Sequence, residues 1–187
     1  MKVINTPIDG LRIIEPRIFS DDRGYFFESY SQPRYDELLG NVQFVQDNES
    51  LSSYGVVRGL HFQRPPYAQS KLVRVVVGKV LDVAVDIRPA SPTFGKYVAV
   101  ELSAENHRQL FIPRGFAHGF AVLSDKAIFQ YKCDNTYAPQ HEGAIAWNDP
   151  AINIDWTIPH EDIILSPKDT HNPLLKDINL EDFNQFL

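Results

Sequence analysis

Short runs of β-favouring residues follow one another closely along this chain, and their spacing constrains the fold more than any other feature. From Leu81 to Ile87, aliphatic residues alternate with Asp82, Ala84 and Asp86, so a strand here has one strongly apolar face. The run Lys71–Val77 is rich in β-branched residues. Further strands are predicted at Val42–Gln46, Val56–Gln63, Tyr97–Leu102, Gln109–Ile112, Gly119–Leu123 and Ala127–Cys133.

Helical signals are few. Ser31 is suited to cap a short helix that ends at Leu39, because Pro33 falls in its first turn and Gly40 follows its end. A second helix is predicted in the tail, over residues 180–187. Short strands joined by Gly- and Pro-rich turns, with little helix between them, predict one all-β domain over residues 1–187, built as a sandwich, jelly roll or barrel.

Charge and cysteine content narrow the classes of partner. The net charge of −6 gives no general attraction to nucleic acid or to an anionic membrane, so an anionic ligand has to be met by local arginines and lysines. The single cysteine, Cys133, cannot form an internal disulfide. The first ten residues do not have the pattern of a signal peptide, and no apolar run is long enough to span a bilayer. We therefore expect a cytoplasmic protein.

Two segments resemble the paired signature of the cupin superfamily. The first contains Gly55, His61, Gln63, Lys71 and Gly78, and the second is the Pro-x-Gly-x-x-His run that ends at residue 118. The resemblance implies a cupin-type jelly-roll β-barrel with a few short peripheral helices. In metal-binding cupins the four matching positions are His, His, Glu and His. Here a lysine replaces the anionic ligand, and its ammonium cannot bind a cation, so we expect no metal and no cofactor.

The residues of this signature also have ordinary structural interpretations. Lys71 shares a strand face with Val73, Val75 and Val77, so its side chain either points into the barrel toward an anionic group or extends to solvent from the start of the strand. A strand histidine such as His61 is often a hydrogen-bonded packing residue. His118 lies on a face with two phenylalanines, and Tyr131 alone would be a core tyrosine with a satisfied hydroxyl.

An ordered set of motifs makes the resemblance more specific. The chain reads Val-Arg-Gly-Leu-His-Phe-Gln over residues 57–63 and Ile-Pro-Arg-Gly-Phe-Ala-His-Gly-Phe over residues 112–120. Supporting segments are Asp21–Glu28, Gln46–Asn48, Tyr131–Cys133, Tyr137–Pro139 and Trp147–Pro150. With these motifs the chain resembles the dTDP-4-dehydrorhamnose 3,5-epimerase family over nearly its whole length. The resemblance implies inversion at C3 and C5 of a dTDP-linked 4-keto-6-deoxy sugar, without a cofactor.

The resemblance also implies a role for each site residue. His61 matches the catalytic base, Asp169 the carboxylate that orients it, Lys71 the cation beside the C4 oxygen, and Tyr131 the acid on the opposite face. The residues implied in substrate binding are Arg23, Phe26, Glu28, Gln46, Asn48, Arg58, Gln63, His118, Tyr137, Glu142 and Lys168. Arg23 and Glu28 fall on an amino-terminal strand that contributes to the neighbouring subunit's site in this family, so a homodimer is expected.

Three alternatives stay open from the sequence. The chain could invert only C3 or only C5 in a related deoxysugar pathway, although Tyr137 and the complete catalytic set favour double inversion. It could be a metal-dependent cupin oxygenase or isomerase, which Lys71 and Gln63 disfavour. It could also be a non-catalytic cupin that binds sugar nucleotides, which the presence of both His61 and Tyr131 disfavours.

Overall fold

The structure, a computed structural model, describes residues 1–187 and is dominated by β-strands. The strands are β1 (Lys2–Asn5), β2 (Arg12–Glu15), β3 (Phe19–Asp21), β4 (Gly24–Phe26), β5 (Gln46–Ser53), β6 (Val57–Gln63), β7 (Lys71–Val77), β8 (Lys79–Asp86), β9 (Tyr97–Ser103), β10 (Gln109–Ile112), β11 (Phe116–Val122), β12 (Lys126–Cys133) and β13 (Glu142–Ala144). The one α-helix, α1, is Gln32–Leu39, and the short 3-10 helices are Pro139–His141, His160–Asp162, Asp169–His171, Leu175–Asp177 and Glu181–Phe186.

Two antiparallel sheets form the body of the molecule. One has the strand order β1-β2-β10-β7-β12-β5 and the other the order β13-β6-β11-β8-β9, while β3 and β4 form a separate hairpin. This is the double-sheet arrangement of a jelly roll, in which neighbouring strands in each sheet come from distant parts of the chain. The predicted all-β jelly roll is confirmed, although the two sheets do not close into one continuous barrel.

The central core lies between the two sheets. Val73 and Val75 of β7 and Phe129 of β12 pack there against Phe116 and Phe120 of β11. The predicted apolar row on β7 therefore faces inward, and the side chain of Lys71 begins that row. The position of Lys71 at the end of the row puts its charge at one end of the space between the sheets.

The outer faces of both sheets are also covered. Helix α1 packs Tyr35 and Leu39 against the six-stranded sheet. The carboxy-terminal segment packs Trp156 and Phe183 against the aliphatic face of β8. Consequently the strongly apolar face of β8 points away from the sandwich interior, and the face with Asp82, Ala84 and Asp86 points into it, where both carboxylates are fully buried.

The predicted strands from β6 to β12 agree with the structure to within a few residues, whereas the prediction at Val42–Gln46 is wrong. The strand there is β5, which begins at Gln46 and pairs with β12 along its whole length. The sequence of β5 is mostly polar because it is an edge strand with one exposed face. Strand propensity therefore predicted a strand at the apolar residues just before it. The strands β1 to β4 were not predicted as separate elements.

The helix predictions need two corrections. Helix α1 follows Ser31 and ends before Gly40, as expected, but the Ser31 side chain makes no capping hydrogen bond. The tail forms a 3-10 helix rather than an α-helix, and its Phe183 is buried edge-on against Phe62. No helix of the structure is both long enough and apolar enough to cross a membrane.

The turn between β7 and β8 gives a test of this packing. Gly78 has a φ of +77°, and a Cβ there would lie 2.0 Å from the carbonyl oxygen of Lys126. Gly40 has a similar φ of +72°, with open space around it. Since both substitutions strain the backbone but only one also clashes, we expect Gly40→Ala to lower the free energy of unfolding by about 1–2 kcal/mol, and Gly78→Ala by clearly more. Denaturant unfolding of both variants measures this, and equal losses would contradict the described turn.

Candidate active site

The sequence-predicted catalytic residues meet between the two sheets, at one end of the sandwich. His61 on β6 and His118 on β11 are directly opposite each other in the antiparallel register. Lys71 begins β7 and is paired with Cys133 at the end of β12, while Tyr131 lies two residues earlier on β12. The two histidines thus come from one sheet, and the lysine and tyrosine from the other.

These side chains line two adjoining cavities. One, of about 420 Å³, is bordered by His61, Lys71, His118, Tyr131, Asp169 and Arg58, together with apolar residues of the core. The other, of about 310 Å³, shares His61, Lys71 and Tyr131 and adds Gln46, Asn48, Gln63, Tyr137 and Glu142. A larger number of polar side chains than is usual for a packed core therefore converges on one continuous space.

His61 is held by a carboxylate. Its Nε2 lies 2.6 Å from Oδ1 of Asp169, which is buried on the 3-10 helix Asp169–His171. Ser166 donates its hydroxyl to the other carboxylate oxygen at 2.9 Å, and Asn172 donates its amide to Oδ1 at 3.3 Å. Because an ionised carboxylate only accepts, Nε2 of His61 carries the proton and Nδ1 is left with a free lone pair.

Lys71 is a cation without an ion-pair partner. Its side chain keeps partial exposure to the cavity, and its Nζ lies 5.8 Å from the centre of the Tyr131 ring. Burial lowers its pKa, and the nearby Cys133, Asp82 and Glu142 act in the opposite direction. Of the two side-chain directions left open by the sequence, the inward one is observed.

The phenol of Tyr131 is free to act on a ligand. Its ring packs near Phe129, but its hydroxyl makes no hydrogen bond in the structure, unlike that of a satisfied core tyrosine. Burial raises the pKa of Tyr131, and Cys133 raises it further. Burial also raises the pKa of the Cys133 thiol, to about 11. Both groups therefore remain protonated near neutral pH.

His118 has a carboxylate partner of its own. Its Nε2 lies 2.7 Å from Oδ1 of Asp82, and both residues are buried. Burial lowers the pKa of His118; Asp82 opposes this, while Lys71 and His61 add to it. The ring is therefore favoured in its neutral form.

Polar residues form a connected rim at the mouth of the second cavity. Glu142 accepts hydrogen bonds from the Tyr137 hydroxyl at 3.0 Å and from the Lys168 ammonium at 2.5 Å. Burial would raise the pKa of Glu142, but these two hydrogen bonds outweigh it and lower the pKa. Gln46 accepts from the Tyr137 amide and donates to Asn48, each at 3.0 Å.

Gln63 and Arg58, two other residues predicted to bind the ligand, make hydrogen bonds within the chain. The amide of Gln63 donates to the carbonyls of Tyr67 and Thr136 and accepts from the amide of Ala138, so it anchors the loop that carries Tyr137. Arg58 borders the larger cavity, and its Nε donates to the Ser52 hydroxyl at 3.0 Å. Its terminal nitrogens have no partner within the chain.

Three predicted residues are not brought to these cavities by their own chain. Arg23 lies in the turn between β3 and β4, not on a strand, and pairs with Asp21. Phe26 is strongly exposed at the end of β4, and Glu28 follows that strand and pairs with Arg34. None of the three borders either of the cavities that His61 lines.

The sequence interpretation missed three residues that contact the predicted set. The alternation of residues placed Asp82 on the less apolar face of β8. An acidic residue on a strand that is buried on both faces was the one sequence signal that Asp82 has a functional role. Ser166 and Asn172 flank Asp169 in the sequence, and the Ser-x-x-Asp spacing is typical of a local turn. Without the fold, no pattern connects them with His61, because Asp169 is 108 residues away from it in the chain.

The residues present do not fit a metal centre. No three His, Cys, Asp or Glu side chains are grouped so that they could hold a metal ion. Lys71 borders the same cavity as the two histidines, and its ammonium would repel a cation. The same residues do suit proton transfer beside a carbonyl, because they combine an oriented imidazole, an ammonium and a free phenol in one cavity.

Comparisons with known proteins agree with this geometry. Residues 5–177 match the model of the family described as dTDP-4-dehydrorhamnose 3,5-epimerase. The chain is 59% identical over 170 residues to the dTDP-4-dehydrorhamnose 3,5-epimerase of Escherichia coli K12, covering 90% of this chain and 91% of that protein. It is 56% identical over 186 residues to that of Shigella flexneri, covering 98% and 96%.

The fold and the sequence also match a solved structure with a bound sugar nucleotide. The dTDP-6-deoxy-D-glucose-3,5-epimerase of Legionella pneumophila Philadelphia 1, in complex with dTDP-4-keto-L-rhamnose, is similar with a TM-score of 0.93 and 54% identity, covering 97% of this chain and 96% of that one. The family model matches well over half of the chain, and the relatives match it almost end to end. This chain belongs to the dTDP-4-dehydrorhamnose 3,5-epimerase family.

Proposed function

We propose that this protein inverts C3 and C5 of dTDP-4-dehydro-6-deoxy-D-glucose and so forms dTDP-4-dehydro-L-rhamnose, in dTDP-L-rhamnose biosynthesis. One observation carries the proposal: the His61–Asp169 pair, 2.6 Å apart, borders the same cavity as the ammonium of Lys71 and the phenol of Tyr131. Family membership and the solved relative with dTDP-4-keto-L-rhamnose support this substrate.

In this mechanism His61 is the base. The C4 ketone acidifies the hydrogens at C3 and C5, and Nδ1 of His61 removes one of them to give an enolate. Asp169 accepts the Nε2 proton and holds the ring in the required tautomer and orientation. Ser166 and Asn172 in turn fix the carboxylate, so the base is oriented before the ligand binds.

Lys71 and Tyr131 complete the reaction. The enolate places negative charge on the C4 oxygen, and the ammonium of Lys71, which has no ion pair within the protein, stabilises that charge. Tyr131 belongs to the opposite sheet from His61, and its free hydroxyl returns a proton to the other face of the carbon. Exchange with solvent then removes the proton from His61 and returns one to Tyr131, and the same cycle at the second carbon gives double inversion.

The remaining polar residues would hold the nucleotide. Cations meet the diphosphate, and Arg58 and Lys168 border the cavities or their rim. Gln46, Asn48, Tyr137 and Glu142 form the hydrogen-bonded rim beside the second cavity. We assign Gln63 to the support of this rim, because its amide is bonded to three backbone groups.

The β3–β4 hairpin fits a homodimeric enzyme. Arg23, Phe26 and Glu28 lie away from their own cavity, and Phe19, Tyr25 and Phe26 are strongly exposed apolar side chains. A two-fold partner that receives this hairpin would cover the exposed aromatics and gain a cation for the nucleotide's anionic end. We also propose a cytoplasmic location, which suits the single unpaired cysteine, Cys133.

Deuterium incorporation tests the function directly. We expect that dTDP-4-dehydro-6-deoxy-D-glucose incubated with the protein in deuterated water, without added metal, takes up deuterium at both C3 and C5 with inversion. Proton NMR follows both positions separately. Incorporation at one carbon only would replace this proposal with a single-position epimerase, and its absence at both would contradict epimerase activity on this substrate.

Variants of the base and the acid should differ in a characteristic way. We expect His61→Asn to slow incorporation at both carbons by about 10²–10⁴-fold, since no base remains. Tyr131→Phe keeps the base and should allow deuterium to enter without inversion. His160→Asn and Tyr97→Phe are matched controls outside the cavities and should behave as the unaltered protein. Near-normal inversion by either cavity variant would contradict its assigned role.

The loss of activity at alkaline pH should follow the deprotonation of Lys71. The oxyanion needs the protonated amine, and burial lowers the pKa of Lys71, so kcat/KM should fall with rising pH below the ordinary lysine value. Tyr131 and Cys133, whose pKa values are raised, stay protonated over this range. We expect Lys71→Arg, which keeps its charge, to move this alkaline limit to higher pH, and Lys132→Arg on the outer face to leave it unchanged. An unchanged limit in Lys71→Arg would contradict the assignment.

Mixing inactive variants tests the shared site. If Arg23 completes the partner's cavity, a heterodimer of Arg23→Ala and His61→Asn chains contains one intact site. We expect a refolded equimolar mixture to recover about a quarter of normal activity, because half of the dimers are mixed and each has one working site. A mixture of His61→Asn and Tyr131→Phe is the control, since no intact site can form. No recovery in the first mixture would contradict the shared site.

A further inference from the structure

The cavity contains a second histidine–carboxylate pair that the proposed reaction does not use. Asp82 on β8 and His118 on β11 belong to neighbouring strands of the five-stranded sheet and lie 2.7 Å apart, Oδ1 to Nε2. Asp82 is fully buried and reaches the cavity only through His118, which borders it.

The carboxylate of Asp82 has a single side-chain hydrogen bond, the one with His118. Its second oxygen, Oδ2, is enclosed and has no partner, which is rare for a buried polar atom. The unpaired ammonium of Lys71 borders the same cavity as His118 and supplies the opposite charge in this interior. At 2.7 Å from Nε2, the Oδ1 of Asp82 is placed as a hydrogen-bond acceptor, and an ionised carboxylate can only accept, so we assign the proton of the neutral His118 ring to Nε2.

This assignment determines what His118 offers to a ligand. Nδ1 makes no hydrogen bond within the chain, and it is not among the enclosed unpartnered atoms, so it is open to the cavity. With the proton on Nε2 and the ring neutral, Nδ1 presents a lone pair. A lone pair repels a carbonyl or enolate oxygen, which has no proton to give, and it attracts a hydroxyl group.

We propose that Asp82 is a positioning residue that fixes His118 as a hydrogen-bond acceptor, and that His118 thereby selects sugar nucleotides with a free hydroxyl at ring position 2 or 3. This inference rests on the proposed function and refines its substrate. The C4 oxygen is then left to Lys71 alone, because it cannot bond to Nδ1. A role for Asp82 in packing alone would fix neither the tautomer nor a ligand preference.

The tautomer can be measured on the unaltered protein. Long-range proton–nitrogen correlation spectra of protein with ¹⁵N-labelled histidine distinguish a proton on Nε2 from one on Nδ1, and His118→Asn identifies the signals. We expect the Nε2–H form for His118, with the His61 signals as an internal reference. In Asp82→Asn the side chain can donate as well as accept, so the Nδ1–H form should gain population while His61 is unchanged. An Nδ1–H ring in the unaltered protein would overturn the proposal.

Binding measurements test the ligand preference. dTDP-glucose lacks the ketone and does not react, so calorimetry can compare it with its 2-deoxy and 3-deoxy forms and with dTDP. We expect one deoxy form to bind the unaltered protein about tenfold more weakly or worse, because Nδ1 is left unpaired. In Asp82→Asn this penalty should shrink to about threefold or less, while dTDP binds both proteins equally. The kcat/KM for the keto sugar should fall about tenfold or more with little change in unfolding midpoint.

The outcomes separate this inference from the function on which it rests. Equal binding of all three sugars, together with normal deuterium incorporation, would overturn hydroxyl selection and leave the epimerase proposal intact. If loss of the hydroxyl weakens binding to Asp82→Asn as much as binding to the unaltered protein, the role of Asp82 would be overturned. Failure of the unaltered protein to bind dTDP would overturn the proposed function and this inference with it.

Discussion

The ammonium of Lys71, enclosed between two sheets without a salt bridge, is the constraint around which the site is organised. A charge largely removed from solvent is costly, and here the opposite charges lie only at a distance, on the carboxylates of Asp82 and Glu142. The ammonium of Lys71 therefore has no close anionic partner within the protein. This also explains why the cavity is suited to an oxygen that becomes negative during a reaction.

Much of the fold could be predicted from the sequence, because strands covered on one or both faces leave strong alternation or apolar runs. The strands from β6 to β12 were found this way, and the inward direction of the row that begins at Lys71 was among the predicted possibilities. The strand β5 was misplaced because its residues are polar, and it exists through eight paired positions with β12 rather than through its own propensity. Pairing partners of an edge strand are not visible in a local pattern.

The site was predictable only in part, and the reasons differ from residue to residue. His61, Lys71 and His118 stand in recognisable motifs, whereas Asp169 could be assigned only by resemblance, since it folds back from a distant turn. Asp82 was overlooked because periodicity reveals that a strand has two faces but not which one faces the interior. In β8 the carboxy-terminal segment covers the aliphatic face, and the acidic face is the inner one.

Lys168 and Asp169 are consecutive residues with different tasks in the proposed mechanism. Lys168 stands at the rim, bonded to Glu142, and Asp169 holds the base. A diphosphate that draws Lys168 away from Glu142 would pull on the same short helix that fixes the imidazole of His61. In the proposed mechanism, part of the binding energy of the nucleotide would then be expressed in the rate of proton removal by His61. The keto sugar without its nucleotide would then be a poor substrate even at saturating concentration.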